Sequence, residues 1–160
     1  MWRPTRRSLI AAALLIVALA VRVVEVERTS YRPINDAGSY LTLASEIAHI
    51  GDYSTGHRPG SGAGGSRGPT AYFPPGFPYF LAAVDLITGH TARRGDAVHS
   101  ARISQAVLGT GAVALVGLVG LELFGGAVAL IALALATAYP VFIGLSGALV
   151  AEVCGPAPFR

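Results

Sequence analysis

The chain has 160 residues and a net charge of +3; 52% of its residues are hydrophobic and only 13% are charged. Soluble domains carry about a quarter charged residues, so this composition excludes an ordinary soluble domain and favours lipid as the solvent. The basic residues are all arginines, scattered without a basic stripe, which argues against a nucleic-acid partner, and a single Cys154 cannot form an internal disulfide.

The first segment is a basic stretch followed by an apolar run over residues 9–21. Two interpretations are open. The Ala18-Leu19-Ala20 triplet fits the cleavage site of a signal peptide. Alternatively, the helix continues past Arg22, whose side chain would snorkel to the membrane interface. Because more apolar segments follow, we predict that residues 1–27 form a basic N-terminal segment and a retained first transmembrane helix.

Residues 28–101 are mostly polar and form a long loop with an amphipathic helix near its start. Asn35 or Asp36 can cap this helix at its beginning, and Gly51 can end it. Apolar residues follow the i, i+3, i+4, i+7 spacing of one helix face. The pattern predicts a helix over about 36–50 that lies along a membrane surface. The apolar face comprises Tyr40, Leu43, Ala44 and Ile47.

Two further parts of this loop differ in composition. Residues 54–70 are rich in Gly, Ser and Pro and predict a flexible segment, in which His57, Arg58 and Arg67 are solvated. The next stretch is rich in proline and aromatic residues, which favour a helix start and the headgroup level. It predicts a second short helix over about 75–88. Asp85 interrupts its apolar part, which favours a juxtamembrane or re-entrant helix over a span.

The clearest membrane-spanning signal lies in residues 102–150, followed by a tail over 151–160. Glu122 and Gly125-Gly126 divide the apolar tract into helices over about 102–123 and 126–148. Gly117 and Gly120 permit close approach of helix backbones. We therefore predict an all-α integral membrane protein, with about three transmembrane helices and amphipathic juxtamembrane helices in a long first external loop.

Short motifs occur in a fixed order along the chain, and none of them is specific alone. They are Asn35-Asp36-Ala37-Gly38-Ser39-Tyr40, Gly51-Asp52-Tyr53, Phe73-Pro74-Pro75-Gly76-Phe77-Pro78, Ala101-Arg102, Leu123-Phe124-Gly125 and Tyr139-Pro140. As an ordered set they resemble the N-terminal part of a GT-C class membrane glycosyltransferase. The similar families are the dolichyl-phosphate-mannose–protein mannosyltransferases and the bacterial aminoarabinose and mannosyl transferases. The resemblance extends over almost the whole chain to Glu152.

The resemblance implies transfer of a sugar from a polyprenyl-phosphate donor, held in membrane lipid, to an acceptor on the extracytoplasmic side. By matching position, Asp36 would be the general base and Glu152 a second acidic site. A hydroxyl is a poor nucleophile until a positioned carboxylate accepts its proton. Without the resemblance, Asp36 would be read as an N-cap, a role typically worth ~1 kcal/mol and compatible with catalysis. The sugar, the acceptor and the use of a divalent metal are left open.

The resemblance also implies a topology in the cell membrane. The N-terminus would be cytoplasmic and the first large loop extracytoplasmic. Arg93, Arg94 and Arg102 would then lie outside, against the positive-inside trend. A spanning segment over 77–88 would move these arginines inside and would also move Glu152 to the inner face. We retain the family topology because Asp85 and the prolines weaken that span.

The end of the chain departs from the family, which has more spans and usually an external soluble domain. Residues 151–160 do not continue its pattern. This departure predicts a truncated or frameshifted product that is inactive alone. The alternative function is a small non-enzymatic polytopic membrane protein, such as a transporter subunit or an assembly factor. Its expected mark is charge inside the spans, which the predicted late spans lack.

Overall fold

The computed structural model of this chain describes residues 5–33, 36–53, 73–89 and 94–149. These residues contain six helices and no β-strand, which confirms the all-α fold. The predictions for residues 54–70 and 151–160 fall outside the described ranges. The helices are α1 (Arg6–Arg28), α2 (Asp36–Ile50), α3 (Gly76–Thr88), α4 (Arg94–Phe124), α5 (Gly126–Ala138) and α6 (Pro140–Gly147).

The chain divides into two compact units. The first contains α1, α4 from Arg102 onward, α5 and α6; the second contains α2, α3 and the first turns of α4. Helices α1 and α4 are long and apolar enough to cross a membrane, the latter over Asp96–Phe124. The pair α5 and α6 provides a third candidate if it forms one bent span. The chain is therefore an α-helical membrane protein with two or three candidate spans.

In the first unit, α1 is one continuous helix that passes through Arg22. Its N-cap is Thr5, whose hydroxyl accepts a hydrogen bond from the amide of Ser8 at 3.3 Å. The core of this unit is made of small and branched apolar side chains from three helices. Its buried members are Ala18, Val113, Leu133 and Ala136.

Helices α4 and α5 form a close antiparallel hairpin, as the glycines in α4 predict. A Cβ at Gly117 would lie 2.7 Å from Leu133, and one at Gly120 would lie 3.2 Å from the backbone of Ala129. A larger side chain at Gly120 would press on the backbone of α5, whereas one at Gly117 would require the Leu133 side chain to move. The turn between the helices uses Gly125 at φ +85°, a conformation that L residues with side chains rarely adopt.

Two helix boundaries differ from the sequence prediction. Helix α4 begins at Arg94 rather than near residue 102, because no proline or strong breaker separates the polar residues after Asp96 from the apolar run. The predicted single helix over 126–148 is broken into α5 and α6, whose axes differ by 52°. Pro140 lacks an amide proton and disfavours helical backbone at Tyr139, which is extended (φ −71°, ψ 114°).

In the second unit, α2 packs against α3, and both cover the ranges expected from the sequence. Gly51 ends α2 at φ +74°, and its amide donates to the carbonyls of Glu46 and Ile47. The apolar face of α2, expected to rest on a membrane, instead packs on α3. Burying it there removes apolar area from water without lipid. The side chains buried in the two helices are Ala37, Leu43, Ala44, Pro78, Leu81 and Ala82.

Candidate functional site

Asp36 is the first residue of α2 and its carboxylate is exposed. An acidic residue in the first turn interacts favourably with the positive end of the helix dipole. Tyr40 lies one turn further on the same face of α2. Its ring makes edge-to-face contacts with Phe73 and Phe77, each at 5.2 Å between ring centroids. Asp36 is thus placed beside an aromatic cluster and outside the candidate spans.

Tyr53 connects the end of α2 to the segment that leads into α3. Its hydroxyl donates a 2.7 Å hydrogen bond to the carbonyl of Phe73, and its ring stacks on Tyr79 at 5.9 Å with an interplanar angle of 4°. Burial raises the pKa of Tyr53, and the neighbouring Tyr40 and Tyr79 act in the same direction. The phenol is a protonated donor at neutral pH, as any ordinary tyrosine is, and its hydrogen bond keeps this end of the aromatic cluster in place.

Arg102, on α4, connects the ends of two other helices of the first unit. Its Nε donates to the carbonyl of Gly147 at 2.6 Å, and its two Nη atoms donate to the carbonyl and hydroxyl of Thr29 at 2.9 and 2.6 Å. Its guanidinium also lies 5.4 Å from the ring centroid of Tyr31. The C-terminal ends of α1 and α6 thus converge on one cation of α4, and its positive charge complements both helix dipoles.

Arg22 is the second buried arginine of this unit, and it is bonded very differently. It is completely buried, and one Nη donates to the carbonyl of Ala18 at 2.9 Å. Its Nε and its other Nη have no hydrogen-bond partner. The prediction that Arg22 snorkels to the interface is wrong. Because the Cα–Cβ bond of a helical residue tilts toward the N-terminus, the side chain follows α1 back toward Ala18.

Gly109 of α4 and Ser146 of α6 lie close to this buried arginine. A Cβ at Gly109 would lie 3.2 Å from Nε of Arg22 and 2.7 Å from the hydroxyl oxygen of Ser146, so both atoms face the backbone of Gly109. Gln105, one turn earlier on α4, is 6% exposed, and neither polar atom of its side chain has a partner. Buried polar groups are costly when unpaired, so this part of the first unit is a second candidate site.

The turn between α4 and α5 lacks a basic residue of its own, but α1 supplies one. A Cβ at Gly126 would lie 2.9 Å from an Nη of Arg7. The N-terminal end of α1 and the α4–α5 turn therefore lie at the same end of the first unit, and basic charge gathers there. The sequence alone could not predict this contact, since it depends on how α1 packs.

Of the two acidic residues predicted to act in catalysis, the structure describes only one. Asp36 has the placement given above, whereas Glu152 lies outside the described residues, as do His57, Arg58 and Arg67. Within the part of the chain that the structure describes, no three His, Cys, Asp or Glu side chains come together as a metal site. Sequence reasoning missed the burial of Arg22. The available signal was a charge inside an otherwise apolar run.

Comparison with known proteins adds no relative: no family model, curated protein or solved structure matches the chain. The resemblance to GT-C glycosyltransferases therefore rests on the ordered motifs alone.

Proposed function

We propose that this chain is a membrane glycosyltransferase, or the N-terminal part of one, that transfers a sugar from a polyprenyl-phosphate donor to an extracytoplasmic acceptor. The observation that carries the proposal is the placement of Asp36. It is an exposed carboxylate at the start of a short helix outside the spans, beside an aromatic cluster, and it belongs to the motif set that resembles the GT-C families.

In the proposed reaction, a carboxylate oxygen of Asp36 accepts the proton of the acceptor hydroxyl as that oxygen attacks the anomeric carbon. The bond from this carbon to the lipid phosphate breaks, and the phosphate departs with the electron pair. Attack from the opposite face inverts the anomeric configuration. The charge that develops on the phosphate requires cationic or metal stabilisation, and Glu152 is proposed as the second acidic group.

The proposed topology has the N-terminus in the cytoplasm and the loop that carries Asp36 on the outside of the cell membrane. Its support is the basic charge at one end of the first unit, where Arg7 lies against Gly126. Positive charge is enriched on the cytoplasmic side of membrane proteins. Arg102 opens the predicted helix over 102–123, and its position outside runs against the positive-inside trend. In the structure it donates hydrogen bonds to helix ends and is a structural group.

The test is Asp36→Asn introduced at the native locus. Asn has nearly the same size and shape as Asp but cannot act as the base. Losing the charge from the first turn of α2 costs only about 0.3–1 kcal/mol of helix stability, so the substitution tests the base with little change to the helix. Native membranes are supplied with radiolabelled polyprenyl-phosphate sugars, and transfer of label to endogenous acceptors is measured. We expect transfer to fall by roughly 100-fold or more, the scale of general-base catalysis.

A matched control is Glu46→Gln, which removes a carboxylate from the same helix. It should retain transfer, and both variants should reach the membrane in equal amounts. Retained transfer in Asp36→Asn would remove Asp36 from the mechanism.

One observation favours the alternative function, a non-enzymatic polytopic membrane protein. Arg22 is a charge buried within a candidate span with unpartnered donors, which is the mark expected of a transport or assembly component. If the wild-type membranes transfer no sugar from any polyprenyl-phosphate donor, this alternative is preferred.

A further inference from the structure

The outward face of α3 is an apolar stripe. Tyr79, Leu86 and Ile87 are 53%, 64% and 84% exposed, and Ala83 is exposed between them. These positions follow the i, i+4, i+7, i+8 spacing of one helix face. Leaving an apolar side chain such as Ile87 mostly exposed to water costs free energy compared with burying it.

The exposed face of α2 has the opposite character. Its exposed side chains are polar, apart from Ile50 at its last position. The apolar face of α2 is already covered by α3. Of the two packed helices, only α3 therefore presents an apolar stripe that needs a further partner. The exposed polar residues of α2 are Asp36, Thr42, Ser45 and His49.

The length and position of α3 identify the partner. The helix is apolar but has only 13 residues, a length of about 20 Å that falls short of the ~30 Å hydrocarbon core. The candidate span Asp96–Phe124 follows shortly after Gly89, where α3 is capped. That connection reaches at most about 25 Å even when fully extended. The chain therefore tethers α3 close to the bilayer that this candidate span would cross.

We infer that α3 is an interfacial helix that inserts Tyr79, Leu86 and Ile87 into one leaflet, while α2 remains on the water side of it. Tyrosine suits the headgroup level, where its ring is apolar and its hydroxyl hydrated. The bilayer surface thereby supports α3, and α3 supports α2 in water. This inference does not depend on glycosyl transfer.

Depth-dependent fluorescence quenching tests the inference on the full chain. Trp2, the only tryptophan, is first replaced by phenylalanine. Ile87→Trp then places a reporter on the apolar stripe, and Ser45→Trp places a matched reporter on the exposed face of α2. Each variant is reconstituted into phosphatidylcholine vesicles with or without dibrominated acyl chains, and circular dichroism verifies equal helix content.

The Ile87→Trp reporter should lose about half of its emission to brominated lipid and emit at shorter wavelength, as expected for a ring at the acyl boundary. The Ser45→Trp reporter should keep its intensity and emit as in water. Equal quenching of the two reporters would overturn the inference. So would an unquenched Ile87→Trp reporter whose emission depends on the protein-to-lipid ratio, since that outcome assigns the stripe to a second copy of the chain.

Discussion

Arg22 and Arg102 show how the same residue type serves two purposes within one helical unit. Arg102 donates hydrogen bonds to Gly147 and Thr29, so its guanidinium is paired with acceptors at two helix ends. Arg22 makes one hydrogen bond, to Ala18, and is otherwise unpaired among packed helices. Moving a charged side chain from water into the protein interior costs free energy unless its hydrogen-bond donors find acceptors there. Arg102 therefore stabilises the unit, while Arg22 is retained against a stability cost.

Arg102→Lys tests the structural role of the first arginine. Lysine keeps the charge but cannot reach two helix ends with a planar fork, so at least one end loses its partner. We expect a loss of about 2–4 kcal/mol in the free energy of unfolding, measured by thermal or denaturant unfolding in detergent micelles.

The control for this substitution is Arg28→Lys, at an exposed position on the last turn of α1. It should change stability by less than about 0.5 kcal/mol. Equal effects of the two substitutions would show that Arg102 does not hold the helix ends together.

At the scale of elements, the close contacts of α4 decide how the first unit packs. Gly109 faces Arg22 and Ser146, while Gly111, two residues further, has nothing within 4 Å of its Cβ position. Both glycines are interior positions of the same helix, so their helical backbone context is the same. They differ only in what surrounds the Cβ position. The pair therefore separates packing from helix propensity.

Gly109→Ala should destabilise the unit by about 1–3 kcal/mol, because the new methyl group would lie 2.7 Å from the hydroxyl oxygen of Ser146. Gly111→Ala should be neutral or stabilising by up to about 1 kcal/mol, since alanine is the better helix former. Unfolding in detergent micelles measures both. If Gly109→Ala is as well tolerated as Gly111→Ala, α6 does not pack on α4 as described.

The elements also show what the sequence could and could not predict. The ranges of α2 and α3 follow from local chemistry. Asp36 and Gly51 mark the two ends of α2, and prolines lie at the start of α3. Pro140 is a local signal for the break between α5 and α6, but the continuous apolar tract around it predicts one helix. By contrast, the face that α2 turns to α3 depends on tertiary packing, and its periodicity fits either lipid or protein equally well.

The candidate site is predictable to a similar extent. Asp36 follows from its place in the motif set and at a helix start, both of which are local. The aromatic contacts of Tyr40 and Tyr53 join residues up to 37 and 26 positions apart, and periodicity carries no information on such pairs. The burial of Arg22 likewise depends on α4 and α6, which pack over it through Gly109 and Ser146.

At the scale of the molecule, the candidate spans and Asp36 lie in different compact units. The first carries the candidate spans and the two buried arginines, and the second carries Asp36 on a helix whose exposed face is polar. Proteins crossing a bilayer must satisfy backbone groups internally, which the long helices α1 and α4 do. The proposed chemistry requires this division, because a lipid-linked donor stays in the membrane while the base stays in water.

The central claim, that α4 lies in hydrocarbon, is tested most directly by a nitroxide label at Leu115, which is 62% exposed on this helix. Cys154 is replaced by serine, Leu115→Cys is labelled, and the full chain is reconstituted in vesicles for electron paramagnetic resonance. The label should be accessible to oxygen, which concentrates in acyl chains, and shielded from a water-soluble nickel chelate. A label that the nickel chelate reaches as readily as oxygen does would contradict the account.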